Sequence, residues 1–182
     1  MNELALNILD IVQNSIRAGA DDIEIIINES AAADTLEIRI KDNGKGIPEQ
    51  LLHLVEDPFT TTRSTRKTGL GLPLLKHHAQ LTGGDIKIRS EEGKGTEVTA
   101  GFKLTHIDRQ PLGDIPGVLI ILISANPGIE FLYHHKTDAG SYSFSTRETK
   151  DVLEMERLDN YSLLTDIKEM IRDNLSALSV SD

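Results

Sequence analysis

The sequence predicts an α+β protein, a sandwich in which helices are layered on one face of a mixed, mainly antiparallel sheet. Residues 3–104 show, in order, a helical pattern, two strands, a helix, a loop, a helix and two strands. Helical patterns interleaved with paired strands favour such a layered architecture. Hydrophobic residues make up 38% of the chain and charged residues 26%, which suffices for a globular core. The 182 residues allow one domain with a smaller appendage.

The first predicted helix spans residues 3–18, where apolar residues cover a broad stripe at helical spacing. The polar residues Asn7, Asp10 and Asn14 lie three and four positions apart, so they share one face of that helix. Gly19 is well placed to end it.

The following elements are predicted from alternation, turn residues and helix-start signals. They are strands at 23–27 and 36–40, a short helix at 48–55, a polar loop at 57–69, a helix opened by 69–73 and closed by 83–84, and strands at 85–89 and 97–104. Pro73 suits the first turn of its helix. The loop has no hydrophobic period and carries arginine and lysine side chains.

The amino-acid composition changes after residue 104, where proline, glycine and aspartate become frequent. We therefore divide the chain into a domain at 1–104, a linker at 105–115 and a small C-terminal α+β extension at 116–182. The extension is predicted to hold strands at 118–124, 129–135 and 141–145, and helices at 147–158 and 163–178. The last helix carries an apolar stripe that either covers the C-terminal sheet or docks a partner or a second copy of the chain.

Charge and composition argue against several classes of function. The formal net charge of −10 disfavours a nucleic-acid partner, since an acidic protein lacks attraction to phosphate backbones. The chain has no cysteine, which excludes disulfides and thiolate metal sites. Its start lacks a signal-peptide pattern, and its most apolar run is too short to span a bilayer. We expect a cytoplasmic protein with no membrane partner.

Four short stretches carry residues with a chemical interpretation in a nucleotide site. Asp42, at the end of a strand and before Gly44 and Gly46, could accept the exocyclic amine of adenine, a contact that Thr96 could complete. Asn14 could give one oxygen ligand to Mg²⁺, which takes few protein ligands. Residues 69–72 offer free backbone amides at a helix start, which suit phosphate. Arg63, Arg66 and Lys67 could neutralise the terminal phosphate.

Each stretch alone has a more ordinary interpretation. A polar pair on a helix face is usually solvated, and Asp-Asn-Gly is a common turn. The joint occurrence of all four stretches, in this order, favours the nucleotide site.

The order of these motifs resembles the GHKL superfamily of ATPases, which includes gyrase, heat-shock chaperones, histidine kinases and MutL. Residues 10–20 are similar to the N box, 42–46 to the first glycine box, 57–61 and 68–72 to the F and second glycine boxes, and 93–96 to the third. The resemblance covers roughly residues 3–104. It implies a Bergerat-type fold that binds Mg-ATP beneath a flexible lid.

The resemblance also implies residue roles. Catalytic roles fall to Asp10 and Lys67, and Asn14 would hold the metal. The residues implied in binding ATP are Asn14, Asp42, Gly44, Gly46, Ile47, Phe59, Thr61, Arg63, Thr68, Gly69, Leu70, Gly71, Leu72 and Thr96.

The sequence departs from the family pattern at two points. The ATP-hydrolysing branches carry a glutamate as general base where this chain has Asp10, one methylene shorter, so water placement is expected to be poor. The phosphoacceptor hairpin that usually precedes this region in the kinases is expected to be absent. His77 and His78 are interpreted as ordinary helix residues, and a metal pair at His134 and His135 is disfavoured because neighbours on a strand face opposite ways.

Three functions stay open from the sequence. The first is transfer of the γ-phosphoryl group of ATP to a partner protein, in signalling or regulation. The second is an ATP-sensing regulatory subunit with little turnover, and the third is slow ATP hydrolysis. The expected partner is a protein that is phosphorylated or regulated, and a homodimer through the C-terminal region is possible.

Overall fold

The fold is taken from a computed structural model that describes residues 3–55 and 71–180. The elements are α1 (Leu4–Arg17), β1 (Asp22–Ser30), β2 (Thr35–Asp42), α2 (Glu49–Val55), α3 (Gly71–Leu81), β3 (Ile86–Glu91), β4 (Gly95–Lys103), α4 (Ile115–Ala125), β5 (Glu130–Thr137), β6 (Gly140–Ser145), α5 (Thr146–Leu153) and α6 (Tyr161–Ala177). The predicted α+β class is confirmed.

The six strands form one mixed sheet in the order β3-β4-β2-β1-β5-β6. Every neighbouring pair is antiparallel except β1 and β5, which are parallel. A short hairpin turn can join two antiparallel strands, but two parallel strands need a longer crossover connection. Between β1 and β5 the chain forms β2, α2, α3, β3, β4 and α4. The sheet is therefore mainly antiparallel, as the sequence predicts.

Alternation along the strands places the core on one face of the sheet. In β1, Ile23, Ile25 and Ile27 are buried, while the residues between them are only partly covered. The helices supply the opposing apolar layer, for example through Ile8 and Val12 of α1. The other face of the sheet carries polar and charged side chains. One buried and one solvated face is the usual arrangement for antiparallel strands.

The strand prediction for residues 118–124 is wrong, because these residues belong to α4. Asp114 is the N-cap and accepts a hydrogen bond from the backbone N–H of Gly117 at 2.9 Å, and Pro116 lies in the first turn. Such a cap followed by proline is a helix-start signal. α4 is buried on several sides, so its sequence forms a continuous apolar run. Periodicity cannot distinguish such a run from a buried strand.

The segment after residue 104 is built into the same sheet as the residues before it. The backbone N–H groups of Leu4 and Ala5 donate to the carbonyls of Pro111 and Leu112 at 2.9 and 2.8 Å, so this segment closes the start of α1. β5 then pairs with β1 along seven residue positions. The C-terminal strands thus extend the sheet of the first 104 residues.

The apolar stripe of α6 is largely covered. Leu164, Ile167, Ile171 and Leu175 are buried, and α6 packs against α4 and β6. Met170 is the exception, with 43% of its surface exposed. Most of the stripe therefore covers the C-terminal sheet and α4, which agrees with the alternative that the stripe packs within the chain.

The two neighbouring histidines of β5 diverge, as alternation predicts. His135 is fully buried; its Nε2 lies 2.6 Å from the Glu29 Oε1 atom, and its Nδ1 lies 2.6 Å from the Tyr133 hydroxyl. His134 lies on the opposite face, 2.7 Å from the Ser143 hydroxyl. Within residues 3–55 and 71–180, no group of three or more histidine or acidic residues is placed to hold a metal ion.

Candidate functional site

The carboxylate of Asp42 is buried at the end of β2 and is held by three donors. The Ser15 hydroxyl donates to Oδ2 at 2.5 Å, and the backbone N–H groups of Gly44 and Thr96 donate to Oδ1 at 2.9 and 3.2 Å. A carboxylate offers about four acceptor positions, so one remains for a ligand. The strands and α1 thereby fix an acceptor whose direction does not depend on the ligand.

Thr96 lies directly beside Asp42 because the two are register partners in the β2–β4 pair. Its hydroxyl is 2.8 Å from the hydroxyl of Ser90, which pairs with Thr96 across β3 and β4. Ser90 also donates to the Gly95 carbonyl at 2.9 Å and accepts from the backbone N–H of Ile47 at 2.7 Å. Ser90 therefore joins the β3–β4 turn to the turn after Asp42.

The turn at residues 43–47 is anchored to the end of α1. The backbone N–H of Lys45 donates to the Ala18 carbonyl at 2.9 Å, and the Lys45 carbonyl accepts from the N–H of Gly93 at 2.7 Å. The Asn43 side-chain oxygen accepts from the backbone N–H groups of Asp21 and Asp22, at 3.1 Å each. The predicted binding residues Gly44, Gly46 and Ile47 are thus part of one rigid corner.

Two glycines of this corner are required by close packing of the protein itself. Gly46 has a φ of +69°, and a Cβ there would collide with the carbonyl of Glu91. A Cβ at Gly44 would lie 3.0 Å from both the Cβ and the carbonyl oxygen of Ala18. The φ of Gly46 lies in the left-handed region, which glycine adopts without strain. At Gly44 the backbone instead approaches Ala18, the residue that caps the end of α1.

Asp10 lies against the first residue of α3. A Cβ added at Gly71 would be 3.2 Å from the Cβ of Asp10, so any larger residue would press on that carboxylate. The next residue, Leu72, is partly buried against the core. The start of α3, where unpaired backbone N–H groups are expected, is thus beside the predicted catalytic acid.

Asn14 is exposed on α1, one turn after Asp10. Its side-chain oxygen accepts a hydrogen bond from the Arg17 guanidinium at 3.1 Å. That oxygen is the atom that would ligate a metal. A cation binding there must therefore share the oxygen with Arg17 or displace it.

Seven of the predicted site residues lie outside the described residues. They are Phe59, Thr61, Arg63, Lys67, Thr68, Gly69 and Leu70. The rest, on α1, β2, β4, α3 and the turn after β2, lie around one end of the sheet and the adjoining helices.

The sequence analysis missed two residues of the site, Ser15 and Ser90. Ser15 follows Val12 and Ile11 at spacings of three and four, so it belongs to the buried face of α1, where a hydroxyl needs a partner. That signal was present in the sequence. Ser90 meets Thr96 and Ile47 through strand register and a turn, and no local pattern in the sequence indicates this.

Comparison with known proteins places this geometry in a family. Residues 2–106, more than half of the chain, match the family described as "Histidine kinase-, DNA gyrase B-, and HSP90-like ATPase". The chain belongs to this ATPase family. Membership implies a nucleotide-binding domain, which is the interpretation that the motifs gave.

The curated relatives of this ATPase domain include histidine kinases. The chain is 34% identical to sporulation kinase C of Bacillus subtilis over 95 residues, which are 52% of this chain and 22% of that protein. It is 30% identical to the sensor histidine kinase ZraS of Escherichia coli K12 over 106 residues, 58% of this chain and 23% of that protein. The sensor histidine kinase WalK of B. subtilis is 37% identical over 110 residues, 56% and 17% respectively. The chain thus matches less than a quarter of each relative.

The fold of the ATPase domain is also found among solved structures. A crystal structure of the N-terminal domain of a DNA repair protein superposes with a TM-score of 0.55 at 20% identity, covering 80% of this chain and 53% of the other. At this identity the likeness concerns the fold alone.

None of the helices within the described ranges is both long and apolar enough to cross a membrane.

The residues of this ATPase domain fit an adenine nucleotide with magnesium. The fixed Asp42 oxygen can accept an amine, and the start of α3 beside Asp10 can face phosphate. The amide oxygen of Asn14 is a hard ligand of the kind that Mg²⁺ takes, once its contact with Arg17 is given up.

Proposed function

We propose that the chain binds Mg-ATP and transfers the γ-phosphoryl group to a side chain of a partner protein. The observation that carries the proposal is the Asp42 carboxylate, buried and held by Ser15, Gly44 and Thr96 in an ATPase domain related to histidine kinases. In this proposal a nucleophilic side chain of the partner bonds to the γ-phosphorus, the bond to the β-phosphate oxygen breaks, and ADP leaves.

Asp42 selects the base in this scheme. Its three donors occupy Oδ1 twice and Oδ2 once, which leaves a second acceptor position on Oδ2. An exocyclic amine such as that of adenine is a matching donor. The neighbouring Thr96 hydroxyl supports the same edge, directly or through water. A base with a carbonyl in that position would place an acceptor against the carboxylate and bind poorly.

The phosphate end of the site would be formed by α1 and α3. Asn14 would ligate Mg²⁺, which supplies charge neutralisation between the phosphates. The start of α3, from Gly71, would donate backbone N–H groups. For Arg63 and Lys67, which lie beyond the described residues, the proposed contact with the terminal phosphate rests on the sequence.

The neighbours of Asp10 favour a supporting role for this residue. Its carboxylate packs against Gly71, so it faces the start of α3 and could orient a water or a magnesium-bound water there. It is one methylene shorter than glutamate, which disfavours attack by water. Slow hydrolysis is accordingly the weaker alternative to transfer.

An ATP-sensing role is a second candidate, favoured by the packing of α1. The polar face of α1 carries Asp10 and Asn14, its buried face carries Ser15, and α1 also packs against α4 of the C-terminal segment. A shift of α1 on nucleotide binding would therefore reach the C-terminal half directly. In that role a regulated protein would take the place of the phosphoacceptor.

Calorimetry and γ-phosphate-labelled ATP together test the proposal and its alternatives. The full chain is titrated with Mg-ATP and is then incubated with labelled ATP, with and without a co-purifying protein. Label on the partner supports transfer, and free phosphate without the partner indicates an ATPase. Binding without either product indicates a sensor. Absence of Mg-ATP binding by the folded chain would overturn all three.

A further inference from the structure

A groove lies at the edge of the sheet far from the nucleotide site. It has a volume of about 620 Å³ and lies between β6, α5 and α6. Its floor is formed by the buried side chains of Phe144 and Ile167. Apolar side chains also stand at its rim, where Val152 is 80% exposed, Met170 43% and Leu153 42%. Exposed apolar side chains gathered around a concave site mark an interaction surface.

The strand that borders the groove has an unprotected edge. Among the described residues, β6 is the last strand of the sheet and pairs only with β5. Four of its consecutive residues, 142–145, line the groove, so the groove runs along the strand. β6 contains no proline and no charged residue. β3, at the opposite edge, carries Lys87, Arg89 and Glu91. Charged side chains on edge strands discourage pairing with another chain, and β6 lacks this protection.

The dimensions of the groove suit one extended segment. A strand takes about 4.8 Å along the sheet and about 10 Å between layers, and four residues of it span about 13 Å, which gives about 620 Å³. The same volume would hold about one turn of helix, which is also about four residues, so volume alone favours neither conformation. The strand is favoured because the groove runs along the edge of β6, whose backbone N–H and C=O groups a strand can pair with and a helix cannot.

The charges around the groove identify the chemistry of the segment. Glu148 of α5 and Asp166 of α6 line the groove, and neither has an ion-pair partner in the described part of the chain. The cations of these two helices are engaged elsewhere: Arg147 with Asp22, Lys150 with Glu130, Lys168 with Asp114 and Arg172 with Glu169. The two free carboxylates favour lysine or arginine on the incoming segment. A second copy of this groove would bring like charges together.

We propose that this groove binds an extended segment of a partner protein, which carries alternating apolar side chains flanked by lysine or arginine and adds to β6 as a seventh strand. The backbone edge of β6 supplies affinity without sequence preference, and the apolar floor and the two carboxylates supply specificity. β6 is three strand positions from β2, or about 14 Å, so the proposal goes beyond the nucleotide-dependent function and can be tested without nucleotide.

The test uses a fluorescein-labelled peptide of nine residues, Lys-Lys-Val-Ser-Val-Ser-Val-Lys-Lys in order, titrated with the full chain and followed by fluorescence anisotropy. An interface of this size is small, so we expect a dissociation constant of about 10–100 µM at low salt. A peptide of the same composition with its three valines adjacent should bind at least about fivefold more weakly. Alternate residues of a strand direct their N–H groups to opposite edges, so of two peptides, one N-methylated at its serines and one at its three valines, at least one should lose affinity. A peptide with glutamate in place of lysine should also lose affinity.

Variants of the chain assign the binding to this groove. Val152→Ser removes an exposed apolar contact and should weaken binding at least about threefold with little effect on folding. Glu148→Gln combined with Asp166→Asn should do the same and should reduce the dependence on salt. The matched control is Asp151→Asn combined with Asp173→Asn, which removes two charges from the same helices outside the groove and should leave affinity unchanged.

Four outcomes would overturn the proposal. They are equal binding of the alternating and rearranged peptides, undiminished binding of both N-methylated peptides, equal loss in the control variant, and no binding of any peptide. Sedimentation of the chain alone gives a further check. A dimer that Val152→Ser dissociates would mean that a second copy fills the groove, and the proposal of a cationic partner segment would be wrong.

Discussion

Asparagine at position 42 should separate nucleotide binding from fold stability. In Asp42→Asn the amide oxygen can keep the position of Oδ1 and accept the backbone N–H groups of Gly44 and Thr96. The amide NH₂ then takes the place of Oδ2, where the Ser15 hydroxyl can rotate to accept its hydrogen bond. Because all the protein partners are retained, we expect the free energy of unfolding to fall by less than about 1.5 kcal/mol.

The effect on the ligand should be larger. The NH₂ group faces the position of the adenine amine, so a donor meets a donor and a charge-assisted hydrogen bond is lost. Such a bond contributes about 1.5–3 kcal/mol, which corresponds to a loss of about 10- to 150-fold in affinity for Mg-ATP. Isothermal titration calorimetry measures the affinity, and urea denaturation without nucleotide measures the stability.

Asp34→Asn is the matched control for this substitution. The Asp34 carboxylate also accepts one backbone N–H and one hydroxyl, both from Thr105, at 2.8 and 3.1 Å, but at the opposite end of β2. The Asp34→Asn variant should bind Mg-ATP as tightly as the wild type. If Asp42→Asn binds Mg-ATP as tightly as the wild type, or if Asp34→Asn weakens binding as much, Asp42 does not contact the base.

Three further predictions concern the metal, the buried network and the C-terminal half. Asn14→Ala should weaken magnesium-dependent ATP binding and leave metal-free ADP binding unchanged, and equal losses for both nucleotides in calorimetry would contradict this. Arg17→Met should lower the half-saturating magnesium concentration by about 1.4- to fivefold, since an exposed charged contact contributes about 0.2–1 kcal/mol. Burial, with a smaller contribution from nearby charge, raises the pKa of Tyr133 well above 10, so the wild type should lose stability as pH rises above about 10. The wild type should be more stable than Tyr133→Phe by about 1–3 kcal/mol at pH 8, and this difference should shrink above about pH 10. A difference in urea denaturation that stays constant with pH would refute this prediction. A chain ending at Leu104 would leave one edge of β1 unpaired and uncover the part of α1 that packs against α4. Such a chain should be insoluble, or unfolded by circular dichroism, and a soluble fragment that binds ATP would contradict this prediction.

Much of the fold could be predicted because the strands alternate cleanly and the helices have distinct starts. β1 and β2 follow each other through a short turn, so their antiparallel pairing is a local property. The parallel pairing of β1 with β5 is not local and no pattern in either strand indicates it. α4 was misassigned because its environment is apolar on several sides, and the capping aspartate before Pro116 was the stronger signal.

The candidate site also has residues that local motifs indicate and residues that only tertiary packing brings together. Asp42 and Thr96 were proposed as site residues because each stands next to glycines in a recognisable motif, and strand register places the two side by side. Ser15 and Ser90 could not be assigned their partners from the sequence, because the hydroxyl groups meet their acceptors through tertiary packing. The buried Tyr133–His135–Glu29 network was also outside the reach of the sequence, since it joins side chains across two strands.

The parallel pairing of β1 and β5 has a consequence for folding during synthesis. Glu29 of β1 and His135 of β5 are 106 residues apart in the chain. At about 5–20 residues per second, the ribosome makes β1 about 5–20 s before its partner strand. During that interval β1 can pair with β2 on one side, while its other edge and the apolar side of α1 await α4 and β5. Contacts of such long sequence separation slow folding, so the nascent chain passes through a period in which chaperone binding competes with aggregation.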